Sequence, residues 1–259
     1  MVKQTRREAL VVAASAVVVG LAAGASARAS GDDDGVLIPA GPFLFGSEPS
    51  EAAAAARRYG FHRSWTEPET PRRTIDLPAF AIDRYPVTNA DFHAFCRATG
   101  YAPRGHWQGP TPQPGTERRP VVMVSRIDAQ AYAAWAGKRL PTEEEWEKAA
   151  RGRDGRTYPW GSRFLPDRCC WNRDRAGAFV ETLRVDAFPK GASPYGVMDM
   201  AGNVAEWTSS SPGPGSGILK GGCWMTQSPL NLRIAARGMS GFDNNQSLFI
   251  GFRCVREVK

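Results

Sequence analysis

Two apolar stretches open the chain, and they differ in kind. The first, Ala9 to Ala23, is a run of Ala, Val, Leu and Gly interrupted by Ser15. At about fifteen residues it is short of the ~20 that a membrane-spanning helix needs. It follows Lys3, Arg6 and Arg7 and runs into Ala25-Ser26-Ala27 and Ala27-Arg28-Ala29, the layout of a cleavable export signal. Thr5-Arg6-Arg7-Glu8-Ala9-Leu10 has the twin-arginine form, which in bacteria directs export of an already folded protein. Residues 1–29 therefore read as a twin-arginine signal peptide. An uncleaved anchor and an ordinary secretory signal are the alternatives, and either leaves the domain outside the cytoplasm. The second stretch, Val36 to Phe45, is strand-like and broken by Pro39 and Gly41.

Between the two, residues 30–35 carry Asp32, Asp33 and Asp34 beside glycines and read as a solvated linker, so a domain is expected over 36–259. Glu51 to Tyr59 is Ala-rich and predicts a short helix, whereas His62 to Arg73 is polar, holds Pro68 and Pro71, and predicts a loop. Three segments share one helix grammar: a hydroxyl residue, an acid three positions on, then apolar residues on a helical face. They are Thr88 with Asp91 ahead of Phe92, Phe95 and Cys96; Ser125 with Asp128 ahead of Tyr132 and Trp135; and Thr142 with Glu145 ahead of Trp146, Ala149 and Ala150. Gly100 is placed to end the first of these helices. Their aromatic residues read as core packing.

Elsewhere periodicity is weak. Tyr101 to Pro120, Tyr158 to Ser162 and Ser209 to Gly217 are rich in Gly, Pro, Trp and Arg, which predicts an α+β domain with little regular structure, held by aromatic packing and polar networks. No internal repeat or composition break follows residue 36, so one domain is expected.

Charge changes this picture little. The formal net charge is +7, and removing residues 1–27, with Lys3, Arg6, Arg7 and Glu8, lowers it by two to +5. The arginines are scattered among Pro, Asp and Glu with no basic-aromatic stripe, which argues against a nucleic-acid partner. The five cysteines, Cys96, Cys169, Cys170, Cys223 and Cys254, would meet an oxidising compartment after export. The odd count leaves at least one unpaired, the adjacent Cys169 and Cys170 are poorly placed to bond each other, and the pairing is not readable from spacing.

Candidate chemistry is confined to two blocks. Only three histidines occur, far apart, and no HExxH, CxxC, GxSxG or glycine-rich phosphate loop is present, which argues against zinc, mononuclear iron, ordinary hydrolase and nucleotide readings. In Gly196 to Trp207, Asp199 and Glu206 flank a glycine-containing turn, a donor set that suits calcium and equally suits a solvated turn. In Lys220-Gly221-Gly222-Cys223-Trp224 the glycines let the backbone come close to a ligand or strand, and Cys223 reads either as a reactive thiol or as a small buried core residue.

Taken together, the motifs resemble the formylglycine-generating-enzyme (sulfatase-modifying-factor) family over nearly the whole mature chain. They run in order as Ile38-Pro-Ala-Gly-Pro-Phe43-Leu-Phe-Gly46-Ser47, Phe80 to Asn89, Pro120 to Ser125, Arg139-Leu-Pro-Thr-Glu143 to Arg151 and Tyr158-Pro-Trp160-Gly161. The series ends with Asp199 to Trp207, Lys220-Gly-Gly222, Arg233 to Arg237 and Gly251-Phe252-Arg253. The resemblance implies the family's irregular α+β fold, related to C-type lectins. It maps the family's structural calcium loop onto Asp199, Gly202, Val204 and Glu206. A second family calcium site would involve residues 168–172, where Cys169-Cys170-Trp171-Asn172 departs from the pattern, and it stays unassigned.

The family's copper(I) site is held by two cysteines in a segment like Gly-Gly-Ser-aromatic-x-Cys with a second Cys further on. Here the active-site Ser position is Cys223, the first Cys position is Thr226, Gln227 to Arg233 contains no Cys, and the Trp of the calcium loop is Ala205. Soft thiolates suit copper(I), so copper-dependent formylglycine generation is disfavoured. The family's sulfoxide synthases add a helical domain with iron-binding histidines that this chain lacks. Two expectations follow: an exported, periplasmic maturation factor acting on another exported protein or peptide through Cys223, Trp224, Thr226 and Arg233, or a non-catalytic lectin-like binding or assembly module for a periplasmic, copper-type enzyme.

Overall fold

The computed structural model describes residues 35–103, 112–171, 182–237 and 239–258. The twin-arginine segment and the linker before residue 35 lie outside them. Among the described residues no helix is long and apolar enough to cross a membrane.

The strand-like stretch at the start of the domain divides where Pro39 and Gly41 interrupt it, into β1 (Val36–Ile38) and β2 (Gly41–Phe45). β2 pairs antiparallel with β3 (Arg73–Leu77), while β1 pairs with β4 (Phe80–Ile82), which in turn pairs with the last strand, β9 (Val255–Glu257). The two ends of the domain thus meet in one sheet. Apart from this three-stranded first sheet and the separate two-stranded β2–β3 ribbon, a second, larger sheet of four strands runs in the order β7 (Met239–Phe242), β6 (Ser216–Lys220), β5 (Ala205–Trp207), β8 (Ile250–Phe252), with β5 and β8 parallel.

The Ala-rich segment forms α1 (Pro49–Arg58). The segment expected as a loop from His62 to Arg73 instead contains two short 3-10 turns, Arg63–Trp65 and Glu67–Glu69, and its last residue begins β3. The three capped segments form α2 (Asn89–Thr99), α3 (Arg126–Trp135) and α4 (Glu143–Arg151), each with both halves of its capping box made. Gly100 takes the left-handed conformation (φ 70°) that ends α2.

Two apolar clusters organise these pieces. Phe92 and Phe95 of α2 meet Tyr132 of α3, and these pack on Trp207 and Phe252 of the second sheet. Trp146, Ala149 and Ala150 of α4 pack against Val36, Ile38, Phe80 and Ile82 of the first sheet, together with Val197, Met200 and Ile234. α4 also packs against β2 and β6, so it touches all three sets of strands. It carries Glu147, Lys148 and Arg151 as well as Trp146 into the interior, where each needs a partner.

Candidate functional site

The turn from Asp199 to Glu206 is set by backbone that ordinary residues avoid. Asp199 and Asn203 sit at φ 56° and 62°, and Gly202 at φ 80°. A Cβ on Gly202 would lie 2.3 Å from the carbonyl oxygen of Cys170, so only glycine passes there. Asn203 is the hub: its Oδ1 accepts from Leu183 N (2.9 Å), and its Nδ2 donates to Leu183 O (3.0 Å) and Asp199 Oδ2 (2.9 Å). Main-chain bonds from Gly202 N to Gly221 O and from Trp224 N to Asn203 O tie this turn to the glycine-cysteine block. The two blocks singled out in the sequence are one structural unit.

The two acids of the turn have different fates. Asp199 is buried, and desolvation pushes its carboxyl up to about 7 against the opposing effects of the Asn203 hydrogen bond and the Arg253 charge. Glu206 is also fully buried, but both its oxygens are engaged: Arg253 Nε and Nη2 donate to Oε2 and Oε1 at 2.7 Å, and Trp146 Nε1 donates to Oε2 at 2.8 Å. Arg253 also donates to the carbonyls of Asp83, Arg84 and Met198.

Of the four residues expected as calcium ligands, Asp199 fits a cation best. It is an acid with a buried carboxyl that nothing in contact neutralises, on a turn whose Gly202 and Val204 carbonyls are the family's other oxygen donors. Glu206 fits less well, since its charge is matched by Arg253 and only one lone pair, on Oε1, is left over. Among the described residues no three His, Cys, Asp or Glu side chains form a metal cage. A cation on this turn would have to rely on main-chain oxygen.

The second block is equally constrained. Gly222 has φ 67°, and a Cβ there would lie 2.9 Å from Asn231 O and 3.1 Å from Thr226 Oγ1. That close approach lets Cys223 N donate to Thr226 Oγ1 at 2.9 Å and brings Cys223 Sγ to 3.7 Å from the same hydroxyl. Trp224 Nε1 donates to Leu248 O (3.2 Å), and Met225 next to it is 46% exposed. Cys223 is only 4% exposed, and burial pushes its thiol up, with the Thr226 hydrogen bond opposing. The structure thus joins Cys223, Trp224 and Thr226 in one turn.

Arg233, the fourth residue expected there, has its side chain committed elsewhere. It donates bidentately to Glu69 (2.7 and 3.0 Å) and to Leu230 O (3.0 Å), so it anchors the second 3-10 turn to the core instead of facing Cys223. All five cysteines are free thiols. The ion pairs Glu206–Arg253 and Glu69–Arg233, and Glu147 with its cations Arg151 and Lys220, were not anticipated as such. Of their residues only Glu69 lies outside the motifs of the sequence; Glu206 and Arg233 stand out there for other roles, and Glu147, Arg151, Lys220 and Arg253 only as members of motifs.

An irregular domain of two small sheets and a two-stranded ribbon around one polar-faced helix, with a buried acid turn locked to a Gly-Gly-Cys turn, defines a recognisable class. The chain matches the sulfatase-modifying factor enzyme 1-like domain over residues 22–258, and it belongs to that family. It is 34% identical to the inactive C-alpha-formylglycine-generating enzyme 2 of Mus musculus, covering 85% of this chain and 84% of that protein. It is 33% identical to the formylglycine-generating enzyme of Streptomyces coelicolor, covering 96% and 97%. Among solved structures it superposes on PvdO from Pseudomonas aeruginosa with a TM-score of 0.69 at 26% identity, covering 86% of this chain and 93% of that one.

Proposed function

We propose that this protein is an exported maturation factor that acts on another exported protein or peptide at the face formed by Cys223, Trp224 and Thr226, without a two-thiolate copper centre. The observation that carries the reading is the Cys223–Thr226 turn. Its glycines admit one thiol and one hydroxyl, 3.7 Å apart, as a polar pair set into apolar surroundings. A hydroxyl is a hard oxygen and does not replace a thiolate on copper(I). The exposed Met225 and Leu248 (41% exposed) beside Trp224 supply apolar surface on which an extended segment can rest. Export to the periplasm by the twin-arginine route is part of the proposal and is supported by the pattern from Lys3 to Ala29. So is one structural calcium ion at Asp199, Gly202 and Val204, supported by the buried acid turn.

A second reading, a binding or assembly module without catalysis, is favoured by one specific observation: Cys223 is buried and its thiol is held protonated, the opposite of an activated nucleophile. The two part on a Cys223→Ala variant of the exported chain. The maturation reading expects the partner's modification, read by mass spectrometry of the partner, to be lost while partner capture persists. Unchanged modification supports the binding module. In either case copper(I) competition with a chromophoric chelator is expected to show no stoichiometric copper, and stoichiometric copper overturns the exclusion of the two-thiolate chemistry.

A further inference from the structure

Away from the Cys223 turn, a cleft of about 400 Å³, counted with its open mouth, lies between α1, the C-terminal end of α4 and the residues after the second 3-10 turn. Its walls include Ser47, Glu51, Arg72, Arg151, Thr157 and Arg233. Three guanidinium groups face one carboxylate there. The charges behind the wall are largely matched: Glu147 takes both Arg151 (2.7 Å) and Lys220 (3.0 Å), Glu143 is tied to Arg237 and Glu69 to Arg233.

The donor inventory is sharper than the charge count. Arg151 commits four of its five N–H groups, to Glu147 and the carbonyls of Leu44, Gly46, Gly155 and Arg156, and keeps one on Nη2. Arg233 spends one N–H of each terminal nitrogen on Glu69 and keeps the other of each. Arg72 gives Nη2 to Glu51, whose side chain is 59% exposed at the rim, while its Nε is shut off from water and has no partner. A buried guanidinium N–H left unpaired is costly, because it has lost its water and gained nothing. Ser47, 7% exposed, and Thr157 add hydroxyls to the same wall. The cleft is rich in donors and, apart from rim Glu51, poor in anionic acceptors.

We infer that this cleft binds a small oxyanion, a carboxylate or phosphate group, held by Arg72 with help from Arg233, Ser47 and Thr157, with Glu51 as its competitor for Arg72. The anion completes Arg72 through charge-assisted hydrogen bonds, and Glu51 swings out to solvent when it enters. The carboxylate of a peptide and free inorganic phosphate present the same chemistry to these donors.

The test uses the mature chain in calorimetric titrations at low ionic strength. The probes are inorganic phosphate, acetate, and a short peptide with a free C-terminal carboxylate alongside its amide. Saturable one-site binding of at least one oxyanion is expected. Arg72→Gln should weaken it by about tenfold or more, on the scale of a lost charge-assisted bond. Glu51→Gln, a change at an exposed position, should tighten it. Tighter binding of the free-carboxylate peptide than of its amide or of phosphate identifies a peptide terminus as the source, whereas tighter binding of phosphate identifies an inorganic oxyanion. No saturation by about 10 mM of any probe, or equal affinities in wild type, Arg72→Gln and Glu51→Gln, overturns the site, and because the two variants should move in opposite directions, a folding defect in one does not mimic the result.

Discussion

Asp199 is a carboxylic acid whose chemistry is out of line with its surroundings. Its carboxyl sits at about 7 in the folded chain because burial disfavours its charge. In the unfolded chain it should titrate near ~4. Between those values the folded state keeps a proton that the unfolded state has released, so stability falls as pH rises from about 4 to about 7 and stays at the lower level above that. Roughly three units correspond to a penalty on the order of 4 kcal/mol. A calcium ion on the turn would face the carboxylate, favour its charged form and remove that penalty. The expected result is a Tm at pH 8 that rises with calcium and falls with chelator, and a much smaller response at pH 5. Asp199→Asn should raise the metal-free Tm at pH 8 and abolish the calcium response; an identical wild-type Tm with and without calcium at pH 8 would remove the ion from this turn.

At the level of elements, α4 does several jobs in nine residues. Thr142 accepts from Glu145 N, and Glu145 in return accepts from Thr142 N and binds Arg139 bidentately, so the cap also fixes the preceding strand-like segment. Thr142→Ala should cost about 1 kcal/mol, as N-cap removals do, read as a shift in the denaturant midpoint without a change in slope. This cap, like those of α2 and α3, was legible in the sequence because its donors and acceptors lie three residues apart. The sheets were not. β1, β4 and β9 are three residues each, too short to show alternation, and Val36 finds Ile82, which finds Val255, only through tertiary structure. The site divides along the same line. Cys223, Trp224 and Thr226 are close in sequence and share one turn, whereas Arg233 is claimed by Glu69, 164 positions away, a partner that local pattern cannot nominate.

Across the whole molecule, the Glu206–Arg253 pair is the point where the two sheets, α4 and the acid turn are held to one another. Glu206 comes from β5, Trp146 from α4, Arg253 from the residue after β8, and the carbonyls that Arg253 binds come from the ends of β4 and of the 196–200 loop. Both side chains are completely buried. Such a pair contributes little net stability compared with an apolar pair of similar volume, because desolvating two ions offsets their attraction, yet removing one partner strands the other's charge in the interior. Arg253→Met should therefore destabilise the chain by about 3–5 kcal/mol, whereas adding Glu206→Gln to it should recover part of the loss. Gln at 206 carries no charge and still offers Trp146 Nε1 an acceptor. Denaturant unfolding of the two variants measures both effects. A double variant no more stable than Arg253→Met would mean that the positions of the Asp83, Arg84 and Met198 carbonyls, and not the stranded carboxylate, depend on the arginine. In that case Arg253 acts mainly as a five-donor clamp on converging backbone, and the charge it carries is secondary to its shape.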